Sequence, residues 1–364
     1  MSNLKKATQI MTRAQLVNYE WYSLRHLLGY CNWAEFFVML GGREAGKSYA
    51  VTDFFCRQWK NYGIPFVWMR LTEAATRKIL QNNAEKLVDP DLRRKYNLDL
   101  VTSGNNVYEV TKRSQPDKNG KTKILEKKLM ARVFAISTFY NDKGSIYDKD
   151  FLKDLRMRYN IAVDEFQREK NEKNTFDILY ALTNQLENVV RSTKERTRVF
   201  FMGNTLEEAS EILCSFNFIP ENFGLYKIKK KRCVIEYIEP SEKYLNRRKG
   251  TIADILLPNA STFTNKIDTD NTLIDKSPLL RPVCIIKFDK PKDKWFTVWN
   301  NSIITKYNGE KKPVIAMQPY LDEVFTQEQR KQVMTIFDTR GYKFRNLVTF
   351  KEFQKQLELL RPRK

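Results

Sequence analysis

Residues 41–48, Gly41-Gly42-Arg43-Glu44-Ala45-Gly46-Lys47-Ser48, fit the spacing GxxxxGK[ST]. They lie directly after the apolar run Phe36 to Leu40 and before a helical stretch, the context a phosphate-binding loop requires. The glycines let the backbone wrap closely, so that successive N–H groups and a helix N-terminus face an anion. In such a loop Lys47 reaches the β- and γ-phosphates of a nucleotide and the Ser48 hydroxyl ligates Mg²⁺. A second apolar run, Asn160 to Val163, ends in the adjacent carboxylates Asp164 and Glu165. Asp164 is suited to hold the Mg²⁺ water shell, and Glu165 to polarise an attacking water. That pairing points to ATP hydrolysis rather than transfer to a small acceptor. A third run, Arg198 to Met202, closes on Gly203-Asn204-Thr205, where Asn204 is placed either to sense the γ-phosphate or simply to cap a turn. Upstream, Arg191, Lys194, Arg196 and Arg198 crowd a helix end. One of them is suited to act as an arginine finger on a neighbouring subunit's ATP; favourable charge at a helix C-terminus is the other reading.

The elements that must position these groups read as α/β. The runs Phe36 to Leu40, Phe66 to Met69, Ile161 to Val163 and Val199 to Met202 are apolar without alternation. That pattern predicts strands buried on both faces, as in a parallel sheet covered by helices. Helical periodicity falls at 12–29, 47–60, 73–88 and 175–192, giving βαβα alternation. Val107 to Val110 and Arg132 to Ala135 read as paired strands around a polar loop at 114–123. The stretch 112–128 carries seven Lys or Arg against two acids. A further basic run, Lys227 to Arg232, leads into the strand Val234 to Ile238. Residues 241–278 are polar and weakly patterned and read as a linker or small connecting subdomain. Beyond them Val283 to Phe288, Trp295 to Trp299 and Ile303 to Tyr307 are strand-like, with Asn308-Gly309 as a hairpin turn signal. Two helices follow, opened by the capping boxes Thr326/Gln329 and Thr349/Glu352. The second places Phe350, Phe353, Leu357 and Leu360 on one face.

Composition narrows the chemistry. The 364 residues favour two domains. Sixty-four Lys plus Arg against 43 Asp plus Glu leave an excess of +21, which calls for a polyanionic partner. A single histidine, His26, excludes any His-cluster metal centre. Five scattered cysteines, none in CxxC, suit a reducing compartment without disulfides. With no apolar N-terminal segment and no run of 18 apolar residues, the chain is expected to be neither secreted nor membrane-spanning.

GGREAGKSYA, PFVWMR, NIAVDEFQREKN and TRVFFMGN stand in the order and spacing found in phage DNA-packaging (encapsidation) ATPases. The sequence resembles the compact ones of short-tailed, protein-primed phages, relatives of terminase large subunits. Arg43 within the loop, the run Asp164 to Lys170 and FNFIPENF at 216–223 carry the likeness further. It covers about 35 to 240, and the rest by layout alone. The resemblance implies a P-loop NTPase domain of the additional-strand, catalytic-glutamate type over 1–240. It further implies a linker at 241–278 and a smaller α+β, RNase H-like vestigial nuclease domain over 279–364. Lys47 and Ser48 become the Walker A pair, and Asp164 and Glu165 the Walker B pair. Gly41 to Ser48, Tyr49, Arg70 and Asn204 fall at the nucleotide, and Arg191 takes the trans-acting position, with Arg196 and Arg198 as alternatives. Where relatives carry a further basic residue after the second strand, this chain has Glu73, which leaves the trans-acting set open.

The function implied is an ATP-driven double-stranded DNA translocase that packages a viral genome into a preformed capsid. ATP and Mg²⁺ are its cofactors. Its partners are the DNA, the portal or connector, a packaging RNA and other copies in a ring, a pentamer. It would act in the host cytoplasm, transiently at the portal vertex, and be absent from the mature virion, without a membrane. Lys118, Lys121, Lys123 and Lys143 are candidate DNA contacts around the basic hairpin, which reads equally as a solvated charged loop. The C-terminal acids Asp289, Asp293, Asp322 and Glu323 read as solvated loop acids, so no nuclease activity is expected. Lys287, Lys290, Lys292, Lys294, Arg361, Arg363 and Lys364 leave a basic surface suited to a nucleic-acid backbone. Alternatives are another P-loop nucleic-acid motor (a helicase or DNA-transfer ATPase), a small-molecule phosphotransferase, and a scaffold holding ATP as a structural ligand.

Overall fold

The computed structural model describes residues 8–9, 19–117, 120–138, 158–167, 177–190, 197–204, 210–256, 271–289, 291–311, 314–316 and 341–360. Two units are distinguished: a larger one of residues 6–212 and 220–267, and a smaller one of residues 1–5, 213–219 and 268–364.

Apolar strands without alternation build the centre of the larger unit. Its ten-stranded sheet has the order β1 (Thr8–Gln9), β9 (Gly224–Ile228), β10 (Cys233–Tyr237), β2 (Phe36–Gly41), β8 (Thr197–Asn204), β7 (Tyr159–Asp164), β3 (Phe66–Arg70), β6 (Ile124–Ala135), β5 (Asn106–Arg113), β4 (Leu100–Ser103). From β10 to β6 every neighbouring pair is parallel. The parallel strands are buried nearly end to end, the burial expected of a parallel sheet covered on both faces. Helix α2 (Lys47–Tyr62) docks through Val51, Phe54, Phe55 and Trp59. Phe55 meets Phe66 and Phe200 at centroid distances of 4.9 and 5.5 Å, and Phe37 stacks on Phe200 at 5.0 Å. Each fully buried ring of this kind contributes about 2 kcal/mol. The sheet's edges are antiparallel: β9 on β10, and the β4–β5–β6 meander.

Two helices depart from the sequence pattern. The helix expected over 12–29 appears, within the described residues, only as α1 (Arg25–Tyr30). Residues 19–24 instead spend their backbone on tertiary bonds, with the Tyr22 N–H donating to Ala45 O at 2.9 Å. Helix α3 (Glu73–Ala84) is capped by Thr72 but breaks at Gln81 to Asn83, where Asn82 and Asn83 are left-handed. Glu73 pairs with Arg77 at 2.6 Å in the first turn, where an acid suits the helix dipole. The chain continues into α4 (Pro90–Tyr96), and α5 (Ile178–Val190) follows β7. Ser241 caps a further helix, α6 (Glu242–Arg248), at the start of the stretch read as a linker. Its Tyr244 is fully buried within the larger unit.

The basic hairpin is longer than the sequence pattern predicts. Strands β5 and β6 pair from Asn106/Arg132 to Arg113/Ile124, and the turn closes with Ser114 N–H on Lys123 O at 2.8 Å. Lys112, Arg113, Lys121, Lys123, Lys127 and Lys128 are exposed along it.

In the smaller unit β11 (Pro282–Lys287), β12 (Trp295–Trp299) and β13 (Ile303–Lys306) form an antiparallel meander. Strand β14 (Val314–Ala316) lies parallel to β11, and β15 (Lys343–Phe344) parallel to β13. Phe288, Phe296, Phe344 and Phe353 fill the core against helix α7 (Leu347–Leu360). Two turn expectations are corrected. Asn308-Gly309 closes no hairpin: the β12–β13 turn is at Asn300 to Ser302, and the chain after Gly309 runs on to β14. The Glu310 carboxylate, which accepts from Asn308 N–H and the Thr297 hydroxyl, fixes that exit. Helix α7 is capped by Asn346, whose Oδ1 accepts from Thr349 N–H at 2.8 Å, so Thr349 is inside the helix rather than its cap. Thr326 and Gln329 lie outside the described residues.

Candidate nucleotide-binding site

The sheet brings the sequence motifs together at the C-terminal ends of its central strands. Strand β2 delivers Gly41, and register places Asn204 of β8 opposite it. Strand β8 lies between β2 and β7, and Asp164 sits opposite Met202. The loop then turns through Glu44 (φ 60°) and Gly46 (φ 91°) into α2, whose N-terminus has no side-chain cap. Left-handed φ at position 46 selects glycine, and a Cβ there would come within 3.3 Å of Trp21. Uncapped first-turn N–H groups are the donors that an anion takes.

Lys47 is buried, and its Nζ donates to Gly41 O and Gly42 O at 2.9 and 2.7 Å. The Ser48 hydroxyl donates to Asp164 Oδ1 at 3.1 Å. Asp164 and Ser48 therefore offer two hard oxygen ligands side by side, a donor set that suits Mg²⁺ completed by water and phosphate oxygens. Burial raises the Asp164 carboxyl above its usual range, while Arg70 and the Ser48 bond work against it. Arg70, ending β3, binds Asp164 Oδ2 at 2.8 Å and also pairs with Glu165. The residue expected beside the nucleotide thus holds the acid pair. Glu165 turns outward with φ 50°, its N–H on Met202 O at 2.9 Å, and its side chain is 57% exposed. Gly203 makes this turn fit, since a Cβ there would sit 2.6 Å from Gln167 Oε1 and 2.9 Å from Phe166.

Burial lowers the Lys47 amine to about 8, with Asp164 and Glu165 pulling it back up. Its folded-state pKa lies below the unfolded value, so its contribution to stability grows as pH rises from about 8 towards the ordinary lysine range. A bound polyphosphate adds negative charge and raises the amine again. ATP binding is therefore expected to take up a proton above about pH 8 and almost none near pH 6.5. Titration calorimetry in buffers of different ionisation enthalpy measures that uptake; the same dependence of heat on buffer ionisation enthalpy at both pH values would refute it.

Several residues at the loop carry no sequence signal. Tyr22 and His26 converge on the buried Glu236 of β10, the Tyr22 hydroxyl donating at 2.5 Å and His26 Nε2 at 2.7 Å. Burial lowers the imidazole pKa, but the bond to Glu236 and its charge outweigh this and raise it above 6.5. The stability this pair adds is complete below pH 6.5 and is lost as pH climbs through the raised value. Wild-type protein should therefore lose thermal stability through that window more steeply than His26→Leu, and parallel melting curves would refute the coupling. Tyr244, Arg247 and Arg248 of α6 also reach the loop, from a helix too short to show periodicity.

Other expected residues are placed as follows. Tyr49 is exposed on α2, and Arg43 is exposed in the loop. Arg198 is the second residue of β8, at the far end of that strand from Asn204. Its guanidinium lies 5.2 Å over Phe54, and burial, then Arg158, lower its pKa to about 10. Lys121 and Lys123 flank the hairpin turn. Arg191, Lys194, Arg196, Thr205, Lys118, Lys143, Lys290, Asp322, Glu323, Arg361, Arg363 and Lys364 lie outside the described residues. Asp289 pairs with Lys294 at 2.6 Å, and Asp293 belongs to the turn before β12. No helix among the described residues is long and apolar enough to cross a membrane.

Strand order, loop and acid pair define a mixed α/β protein with a parallel-rich sheet and a phosphate-loop geometry at its C-terminal edge. Within that class it is similar to phage DNA-packaging proteins. Those of Bacillus phages PZA and phi29 are each 23% identical over 212 residues, covering 56% of this chain and 53% of theirs. The chain spans about half the length of the curated relatives it matches. The solved structure of the bacteriophage Phi-29 viral genome packaging motor assembly superposes with a TM-score of 0.60 at 19% identity. That match covers 94% of this chain and 100% of that one. The Phi-28 gp11 DNA packaging motor gives 0.60 at 16% identity over 95% and 100%. At these identities what is shared is the fold. No family model matches the chain.

Proposed function

We propose that this chain is an ATP-hydrolysing motor that moves double-stranded DNA into a preformed viral capsid. The observation that carries the reading is the joining of Ser48 to Asp164 at 3.1 Å, beside a buried Lys47 and an outward Glu165, on a fold shared with a packaging motor. Lys47 and the loop N–H groups bind the triphosphate; Glu165 accepts a proton from the attacking water. Mg²⁺, held by Ser48 and Asp164, would neutralise charge on the phosphates. The position of β8 between β2 and β7 supports the additional-strand, catalytic-glutamate type. In the smaller unit, the β11–β12–β13 meander with β14 parallel to β11 supports an RNase H-like domain. The pairing of Asp289 with Lys294 supports the absence of a nuclease site there.

The +21 excess and the exposed basic hairpin support contact with the DNA backbone, including Lys121 and Lys123. Backbone contacts serve a motor, which must not read sequence. A pentameric ring, a portal, a packaging RNA, a trans-acting Arg191 and action in the host cytoplasm belong to the same proposal, as do the boundaries at 240 and 278. Duplex DNA is expected to stimulate ATP turnover by the wild type and not by Lys47→Ala. Removing Lys121 and Lys123 together should lower the slope of log affinity against log salt by about 1 to 2. Turnover indifferent to DNA would favour a phosphotransferase, and strand separation would favour a helicase.

A further inference from the structure

Every carbonyl from Gly41 to Ala45 accepts a hydrogen bond, and the donors divide into two sets. Lys47 supplies those to Gly41 and Gly42. Arg43 O accepts from the Tyr244 hydroxyl at 2.8 Å and from Arg248 Nη1 at 3.1 Å. Glu44 O accepts from Arg247 Nη2 at 2.7 Å, and Ala45 O from Tyr22 N–H at 2.9 Å. In a trans peptide the carbonyl and the N–H of the next residue point in opposite directions. Anchoring the carbonyls of 43, 44 and 45 on α6 and on Tyr22 therefore turns the N–H groups of Glu44, Ala45 and Gly46 to the other side. Consecutive N–H groups presented together make an anion-binding concavity.

The brace is built at a cost. Tyr244 is fully buried and Arg248 is 5% exposed, with the Arg248 Nη1 donating to the Tyr244 hydroxyl at 2.6 Å as well. Arg247 lies 3.4 Å over the Trp21 ring, yet its Nε and Nη1 are buried without an acceptor. Buried donors without acceptors are unfavourable, so packing alone does not account for a guanidinium here. Trp21 in turn abuts Gly46.

We propose that Tyr244, Arg247 and Arg248 are positioning residues for phosphate binding, holding the loop from outside so that its N–H groups face the triphosphate. The inference rests on the ATP-binding reading and deepens it: the stretch that sequence marks as a linker begins with the part that sets the loop's shape.

Two ligands, ATP and inorganic tripolyphosphate, test the proposal with full-length Tyr244→Phe, Arg247→Ala, Arg247→Gln and Arg247→Lys. Arg247→Ala is expected to weaken both ligands and raise the KM for ATP about tenfold, with kcat within about twofold. Tyr244→Phe should do so about threefold. Arg247→Gln, which keeps a donor for Glu44 O without the charge, should recover most of the affinity. If Gln behaves as Ala while Lys behaves as wild type, Arg247 acts as a charge and the proposal is overturned. It is overturned equally if the folded variants bind tripolyphosphate as the wild type does. Should Arg247→Ala fail to fold, the isosteric Tyr244→Phe and the Gln variant carry the same comparison. Wild-type protein that binds neither ligand would instead refute the ATP-binding reading itself.

Discussion

Glu165→Gln is expected to lower ATP turnover by about 10²- to 10⁴-fold, the range a positioned general base supplies. Gln keeps the size and polarity of the side chain but cannot take the proton of the attacking water. Nucleotide affinity should stay within about threefold, because the loop, Lys47 and Ser48 are untouched. The fold should stand too: the Glu165 side chain is 57% exposed, so its pairing with Arg70 adds little stability. Single-turnover hydrolysis, with nucleotide binding measured alongside, separates the effects. Turnover within tenfold of wild type would remove Glu165 from the catalytic role.

Arg70→Ala should be the most destabilising substitution at the site, by about 3 kcal/mol. Arg70 is 15% exposed and Asp164 10%, so removing the guanidinium strands a buried carboxylate, and breaking such a pair costs roughly that much. The pH dependence has a definite sign. Asp164 is already raised by burial, and Arg70 is the largest influence opposing that rise. Without Arg70 the folded state holds its proton to higher pH than the unfolded chain does. The loss should therefore be largest near neutrality, where the carboxylate must ionise, and shrink on acidification. Urea unfolding at about pH 5 and pH 7.5 measures both. A loss that grows on acidification would mean that the pair is not what Arg70 stabilises. Arg70→Lys restores charge but not the fork to two carboxylates, and should recover only part of the stability.

The parallel strands were legible because burial on both faces leaves the same mark whatever their neighbours: Phe36 to Leu40 and Ile161 to Val163 are apolar without alternation. The ends of helices were less so. Residues 19–24 have helical periodicity, yet their N–H and hydroxyl groups bond Ala45 and Glu236, partners far along the chain. Asn308-Gly309 has turn chemistry, but Glu310 directs the chain onward to β14. The extended basic hairpin was half visible, since its outer strands are charged on exposed positions and lack the apolar alternation that marks a strand.

By itself the sequence determined which residue types the candidate site holds, since a glycine-rich loop ending in Lys47 and Ser48 and a strand ending in Asp164 and Glu165 are local patterns. Their meaning depends on backbone freedom and residue type, which the chain carries at each position. Tertiary structure decided what lies between them and around them. It set β8 between β2 and β7, turned Arg70 onto the two carboxylates, and laid α6 against the loop carbonyls. Those choices follow from strand order and from hydrogen bonds between residues up to 205 positions apart, and such long-range pairing leaves no periodic trace in the sequence.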